Sequence, residues 1–258
     1  MISKDVFSMG IATVITSGKG GVGKSTAAVG LGRALAGRGR RVLLVDCDAG
    51  LRSLDRMTGT EENLVFDSSD VVFGRCAPAE AIYPCAGSQA ESGGLFLLPA
   101  PASGDDLIRP GVMARLVPLL TRYYDHVLLD SPAGVGLGFR SAACAAERAL
   151  LVCSPDPVCV RSAGNVRRLL DGLGVEDKRL IINRFNGAFF DETGVYTDLD
   201  GVIDASGVQL FGLTPEDITM AAAFLKGQPA PPRSPGMLAM ARIAARLEGE
   251  SVPMPESL

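Results

Sequence analysis

The chain has 258 residues, of which 47% are hydrophobic and 21% are charged, and its formal net charge is −4. This composition is typical of a compact globular protein and argues against a disordered or fibrous chain, and the length predicts one large domain. The acidic balance also excludes a globally basic surface for nucleic acid, although a local basic patch remains open.

Seven short apolar runs predict β-strands, with helical patterns between them. They lie at residues 11–16, 41–46, 95–99, 126–130, 149–154, 179–183 and 208–213. Most are continuously apolar, as is required of strands that are buried on both faces. The pattern therefore predicts an α/β fold with a mostly parallel sheet that is covered by helices.

Two of the intervening or flanking helices are predicted in detail. The first runs over residues 25–36 and contains Gly30 and Gly32, each of which costs roughly 1 kcal/mol relative to alanine. These glycines are expected to allow the helix to pack closely on the sheet. The last helix spans residues 236–249. Its residues expected to face inward are Leu238, Ala241, Ala245, Ile243 and Leu247.

A glycine-rich stretch, SGKGGVGKST, occupies residues 17–26 and contains the phosphate-binding pattern G-x-x-x-x-G-K-[ST]. It follows the first predicted strand and opens the first predicted helix. Backbone N–H groups from Gly20 to Lys24 are therefore expected to surround a phosphate beside the positive end of the helix. Lys24 stands where the pattern requires a lysine for the β- and γ-phosphates. The pattern does not account for the second lysine, Lys19.

Acidic residues end two of the predicted strands. Asp46 and Asp48 close the sequence LLVDCD, and Asp130 closes HVLLD. Residues two apart in an extended chain point to the same side, and ligands bind at the carboxyl edge of such sheets. Since Mg²⁺ prefers oxygen ligands and retains several waters, these carboxylates predict a magnesium nucleotide site.

Four segments together resemble the deviant Walker A ATPases, within them the MinD branch of the MinD/ParA family. They are KGGVGKST, VDCDAGLRSLD, LLDSPAG and PEDITMAAAFLKGQPA. The resemblance covers residues 10–248. It implies a cytoplasmic protein with the P-loop NTPase three-layer sandwich, which binds ATP and Mg²⁺. It also implies that the protein forms a homodimer in the ATP state and hydrolyses ATP while it positions the division septum. Protein partners of the division-site regulatory type are implied as well.

The resemblance also implies roles for individual residues. Lys24 would serve its own nucleotide, and Lys19 would reach the nucleotide of the partner subunit. Asp48 would position the attacking water, and Thr26 would hold the α-phosphate. The residues implied in nucleotide binding are Gly18, Lys19, Gly20, Gly21, Val22, Gly23, Lys24, Ser25, Thr26, Asn183, Pro215 and Glu216. Those implied in magnesium binding, directly or through water, are Ser25, Asp46 and Asp130.

Several relatives of this scaffold remain as alternatives. Nitrogenase iron protein is disfavoured because Cys144 lies too far beyond the DSPAG turn, and cluster-assembly ATPases because no C-x-x-C is present. A DNA-partitioning ParA protein would need a basic patch, for which Arg161, Arg167 and Arg168 are candidates that we do not favour. Flagellar-number regulators are separated poorly by these motifs. A small-molecule ligase is less favoured because no second catalytic cluster is visible and His126, at a strand start, is interpreted as structural.

The remaining features concern cysteines and the chain end. The six cysteines predict unpaired thiols in a reducing cytoplasm, and the spacing of Cys76 and Cys85 matches no metal-ligand pattern. No apolar run is long enough to span a bilayer.

We predict an ATPase domain over residues 1–249 and a tail over 250–258. The tail has two prolines, the acids Glu250 and Glu256, and no lysine or arginine, so the family's basic membrane-binding helix is not expected here and recruitment would need a partner.

Overall fold

The computed structural model describes residues 9–88 and 93–255. These residues form one eight-stranded sheet with the strand order β3-β4-β2-β5-β1-β6-β7-β8. The strands are β1 Ile11–Thr16, β2 Arg41–Asp46, β3 Tyr83–Pro84, β4 Gly94–Leu98, β5 His126–Asp130, β6 Arg148–Cys153, β7 Asp177–Phe185 and β8 Leu210–Pro215. All seven predicted strands are present. The two-residue β3 was not predicted, because it is too short to carry a pattern, and it makes the only antiparallel pairing among these strands.

Helices cover both faces of this sheet. They are α1 Lys24–Ala36, α2 Ser53–Thr58, α3 Ser68–Val72, α4 Pro110–Leu120, α5 Leu137–Ala143, α6 Pro157–Gly172, α7 Gly187–Thr193, α8 Leu199–Ser206, α9 Ile218–Leu225 and α10 Pro235–Leu247. In one group, α1 packs on α10 and α2; in another, α4 packs on α5, and α6 on α8. Every residue of β5 is buried, as is required of a strand with helices on both sides. The predicted three-layer α/β fold is confirmed.

The two glycines of α1 lie at its closest contacts. A Cβ atom at Gly32 would stand 2.6 Å from Cδ1 of Leu95 on β4, and one at Gly30 would stand 3.0 Å from Cγ of Met240 on α10. Larger residues would push the helix away from the sheet or from α10. The prediction that these glycines permit close packing on the sheet is confirmed for Gly32. It was wrong for Gly30, whose close contact is with α10.

The buried face of α10 differs from the prediction. Leu238 is 43% exposed and Ala241 is also exposed, so these two assignments were wrong, whereas Ile243, Ala245 and Leu247 are buried as predicted. The face that packs inward includes Met237, Met240, Ala244 and Leu247. Since most of this helix is apolar, its sequence alone does not distinguish two adjacent faces, and packing against α1 and β8 selects one of them.

Central strands bring the candidate site together. β2 and β5 are parallel neighbours in which Asp46 pairs with Asp130, and β5 is flanked on its other side by β1. β1 leads directly into the glycine-rich loop. The two acids and the loop therefore meet at one edge of the sheet, where parallel strands end.

The cysteines and the helices give two further observations. All six cysteines are free, and Cys47, Cys85, Cys153 and Cys159 are buried. Within residues 9–88 and 93–255, none of the helices has both the length and the apolar character needed to cross a membrane.

Candidate nucleotide site

The loop before α1 presents the amino end of that helix. Gly21 and Gly23 have φ angles of 74° and 93°, in the left-handed region that favours glycine. Gly23 is the N-cap of α1 and has no side chain to bond its first N–H groups, and the first turn has no acidic residue. These N–H groups and their partial positive charge are therefore available to an anion.

Lys24, the first residue of α1, turns its charge toward the acids of the site. It is only 8% exposed. Its positive charge lowers the pKa values of Asp48 and Asp130, against the larger effect of burial. The structure thus brings Lys24 together with two of the acids that the sequence singled out.

Asp46 and Asp130 form a pair of buried carboxylates, 2% and 1% exposed. Asp46 accepts hydrogen bonds from the backbone N–H groups of Asp48 at 2.9 Å and Leu54 at 3.3 Å. Oδ1 of Asp130 is buried and has no hydrogen-bond partner in the described part of the chain. A buried unpartnered carboxylate oxygen is costly unless something else binds it.

Burial strongly shifts the proton affinity of both carboxyls. Burial, reinforced by the charge of Asp130, raises the pKa of Asp46 to about 8. Burial raises the pKa of Asp130 to about 7, although Ser25 and Lys24 oppose the rise. Burial also raises the pKa of the partly exposed Asp48, with Lys24 opposing. A cation beside these groups would reverse the shifts, because it favours their charged forms.

This arrangement fits a magnesium ion that retains its waters. Among the described residues, no three His, Cys, Asp or Glu side chains converge closely enough to hold a metal by themselves. Mg²⁺ in phosphate sites is typically bound by one or two protein oxygens, with waters and phosphates completing the shell. The unpartnered oxygen of Asp130 and the Ser25 hydroxyl, which lies near the same carboxyl, are oxygen donors of that kind.

Lys19 lies apart from this cluster. Its Nζ is 3.8 Å from Oδ1 of Asp156, and the two side chains are 50% and 39% exposed. Asp156 is the N-cap of α6, where it accepts the N–H of Cys159. An exposed pair at this distance contributes little to stability, so Lys19 can readily exchange Asp156 for another anion. The structure does not bring Lys19 together with the acids around Lys24.

The residues expected beside the base lie at the ends of β7 and β8. Asn183 is 7% exposed and pairs with Thr214 across the two strands. Its Nδ2 donates to the carbonyl oxygen of Val22 in the glycine-rich loop at 2.7 Å. Pro215 is partly buried and Glu216 is exposed just beyond β8. Thr26 lies in the first turn of α1.

Sequence reasoning missed several residues at this edge. Arg52 has a φ of 46°, unusual for a side chain of its size, and its Nε is 3.3 Å from Asp55. The hydroxyl of Ser53 donates to that of Ser25 at 3.4 Å. Asp156, the partner of Lys19, was not singled out either. Arg52 and Ser53 carried a signal, since both belong to the GLRSLD part of a segment quoted for the family resemblance.

A cavity of about 710 Å³ lies elsewhere, at the opposite edge of the sheet. It is bordered by the end of α1, the start of β4 and the segment before α10, including Arg33, Gly39, Gly94 and Pro229. The described residues of its lining include no carboxylate. Its size does not make it the candidate site, because the helix end, the lysine and the acids lie at the other edge.

The parallel sheet, the glycine-rich loop and the acids beside it define a P-loop nucleotide-binding protein. The model of the CobQ/CobB/MinD/ParA nucleotide binding domain matches residues 13–230. The septum site-determining protein MinD of Bacillus subtilis is 36% identical over 250 residues, which cover 95% of this chain and 92% of the relative. MinD of Synechocystis is 36% identical over 245 residues, with coverages of 93% and 90%. The chain therefore belongs to the MinD/ParA family, on its MinD branch, and the predicted resemblance is confirmed.

Solved structures agree with this assignment. The MinC:MinD cell division protein complex of Aquifex aeolicus contains a chain that matches with a TM-score of 0.85 and 33% identity, covering 96% of this chain and 99% of that one. MinD of Pyrococcus horikoshii complexed with Mg-ADP matches with a TM-score of 0.81 and 28% identity, with coverages of 93% and 96%. The family consists of ATPases, so the prediction of an ATPase is confirmed at that general level.

Proposed function

We propose that this chain is a magnesium-dependent ATPase whose ATP-bound form dimerises and whose nucleotide state controls the position of the division septum. The observation that carries the proposal is the contrast between the two lysines of the loop. Lys24 is 8% exposed and acts on the buried acids, whereas the side chain of Lys19 is 50% exposed at the rim. One loop lysine serves the bound nucleotide, and the second is accessible to a nucleotide held by another subunit.

A lysine supplied by the partner makes hydrolysis conditional on dimerisation, because the charge that develops on the phosphates is fully neutralised only in the dimer. The weak pair between Lys19 and Asp156 supports this role. In the single subunit Lys19 pairs with Asp156, and breaking this exposed pair costs little free energy.

Within one subunit, residues 18–26 bind the phosphates, and Thr26 holds the α-phosphate. Asn183 contacts the adenine, and the backbone of Pro215 and Glu216 closes the other side of the base. Asp48 positions the attacking water. Its partly exposed carboxyl lies between the buried acids and solvent, near the charge of Lys24, which supports this role.

Ser25, Asp46 and Asp130 are the residues that would hold magnesium, Ser25 as a direct oxygen ligand and the two acids through waters of the ion. The ion would supply positive charge beside the phosphates of the nucleotide. The unpartnered oxygen of Asp130 and the raised pKa values of both acids support this assignment, since a cation beside the pair would relieve the cost of charging it.

We further propose a cytoplasmic protein that acts with division-site regulators. Relatives are named septum site-determining proteins, and one solved relative is a MinC:MinD complex. DNA is a less favoured partner, because two of its candidate arginines have partners within α6. Arg167 pairs with Asp171 at 3.2 Å, and Arg168 donates to Asn165, while Arg161 is exposed.

Substitution of each loop lysine tests the proposal. Lys24→Ala is expected to abolish ATP binding. Lys19→Ala is expected to bind Mg-ATP normally but to remain monomeric and to hydrolyse slowly. Nucleotide titration, size-exclusion chromatography with ATP or ADP, and phosphate release measure these properties. The exposed Lys226→Ala serves as the matched control. Equal loss of nucleotide binding in both loop variants would contradict the role in trans.

A further inference from the structure

A chain of buried hydrogen bonds joins β8, β7 and the glycine-rich loop. The hydroxyl of Thr214 donates to Oδ1 of Asn183, and Nδ2 of Asn183 donates to the carbonyl oxygen of Val22 at 2.7 Å. Thr214, Asn183 and Val22 are 0%, 7% and 5% exposed. Water therefore has almost no access to these groups, and each depends on the next for its hydrogen bond.

Asn183 packs so closely on the loop that a side chain at Gly23 would collide with it. A Cβ atom at Gly23 would lie 2.3 Å from Nδ2 of Asn183. Gly23 also adopts a left-handed conformation and caps α1. The amide of Asn183 thus lies directly against the point where the loop becomes the helix, and its position determines where the carbonyl of Val22 can lie.

The geometry points to Asn183 and Thr214 as positioning residues that hold the phosphate loop in place from the base side of the site. This inference rests on the proposed ATPase function and extends it. An amide side chain has two N–H donors and two acceptor lone pairs. The two bonds seen here leave one donor and one acceptor, so a contact with adenine would add to the link and would not replace it.

The inference differs from base recognition alone in a measurable way. If Asn183 only contacts adenine, losses on disrupting it are confined to ligands that carry a base. If it also positions the loop, binding of a phosphate chain without a base weakens as well. Thr214 separates the two cases best, because its side chain is fully buried and its hydroxyl donates to Asn183, which in turn donates to the loop.

Thr214→Val removes the hydroxyl at nearly constant volume, whereas Thr214→Ser retains the hydroxyl and removes only the methyl group. Thr13→Val is the matched control, since Thr13 is also 0% exposed in a strand and its hydroxyl has no hydrogen-bond partner in the described ranges. In the ligand-free protein, amide hydrogen exchange over residues 18–26 is expected to speed up in Thr214→Val and to stay unchanged in Thr13→Val and Thr214→Ser.

Binding gives the second measurement. Affinities for Mg-ATP and for inorganic Mg-tripolyphosphate are expected to fall in Thr214→Val by the same factor, about fivefold, the value of one typical hydrogen bond. A fall for Mg-ATP alone, or unchanged loop exchange, would overturn the inference. Failure of the unmodified protein to bind Mg-ATP would instead contradict the proposed function, which the exchange measurement does not depend on.

Discussion

Asp46 and Asp130 illustrate how single residues in this site are kept in an unfavourable state. Their neighbouring positions on two parallel strands bury both carboxyls side by side, and burial raises their pKa values to about 8 and about 7. In the unfolded chain an aspartate titrates at about 3.9. The folded protein without metal therefore binds protons that the unfolded chain has already released.

This difference predicts a pH-dependent stability. Because the folded pKa values are raised, the free energy of unfolding of metal-free protein should decrease as the pH rises from about 4 to about 8. We expect a loss of a few kcal/mol between pH 5 and pH 8.5, since each pKa unit corresponds to about 1.4 kcal/mol. Urea unfolding at several pH values measures it. Asp130→Asn should flatten the slope, whereas the exposed Asp204→Asn should leave it unchanged; equal slopes in all three proteins would contradict the prediction.

A second residue-scale prediction concerns Asp48. Asp48→Ala should bind Mg-ATP and accumulate as a dimer, because a group that orients water acts on the chemical step and not on ground-state binding. Turnover should fall by roughly 10²–10⁴, the usual contribution of such a group. Size-exclusion chromatography with ATP and single-turnover hydrolysis test this. A variant that stays monomeric, or that hydrolyses at the parental rate, would assign Asp48 another role.

At the scale of elements, the segment after α10 lies on the body of the protein. Arg246 donates from Nε to the carbonyl of Val252 and from Nη2 to that of Pro253, both at 2.9 Å, and from Nη1 to Phe211 on β8 at 2.6 Å. Glu250 pairs with Arg38. Residues 250–255 contain no helix, and Glu256 lies outside the described residues.

These contacts bear on membrane binding by residues 250–258. We predict that the ATP-bound protein does not co-sediment with anionic vesicles through this segment, because it has no basic residue to gain the roughly 1 kcal/mol per lysine or arginine available at such a surface. Sedimentation of the full chain and of a variant lacking 250–258, each with ATP and with ADP, tests the prediction. Vesicle binding that disappears on deletion would contradict it. Binding that persists would place the membrane contact on another surface.

At the scale of the whole molecule, the proposed function links nucleotide binding to assembly. Lys19 stands at an exposed rim, apart from Lys24 and the buried acids, so under this proposal ATP is expected to bring two subunits together over this edge. Association of folded subunits stabilises them by mass action. The midpoint of thermal unfolding with Mg-ATP should therefore rise with protein concentration. With Mg-ADP, or in Lys19→Ala with Mg-ATP, the midpoint should be independent of protein concentration.

Differential scanning calorimetry over a hundredfold range of protein concentration measures these midpoints. A midpoint that still rises with concentration in Lys19→Ala would count against the role of Lys19.

The sequence by itself determined the seven longer strands, the glycine-rich loop and the acids at the strand ends. Continuous apolar runs identify strands buried on both faces, and the loop is contiguous, so both depend on neighbouring residues only. Even so, the inward face of α10 was assigned wrongly at Leu238 and Ala241. An apolar helix presents several faces of similar hydrophobicity, and its neighbours select among them.

Only the tertiary structure decided which distant residues meet. Asn183 and Val22 are 161 positions apart, and the bond between them exists because β7 and the loop end at the same edge. Likewise, Asp46 and Asp130 become neighbours only through the order of strands in the sheet. The ion pair between Lys19 and Asp156 likewise depends on where the fold places the start of α6. Local sequence governs backbone conformation. The order of strands, in contrast, follows from the requirement that all helices and strands bury their apolar faces in one common core. That order sets the burial, the pKa values and the partners of each site residue.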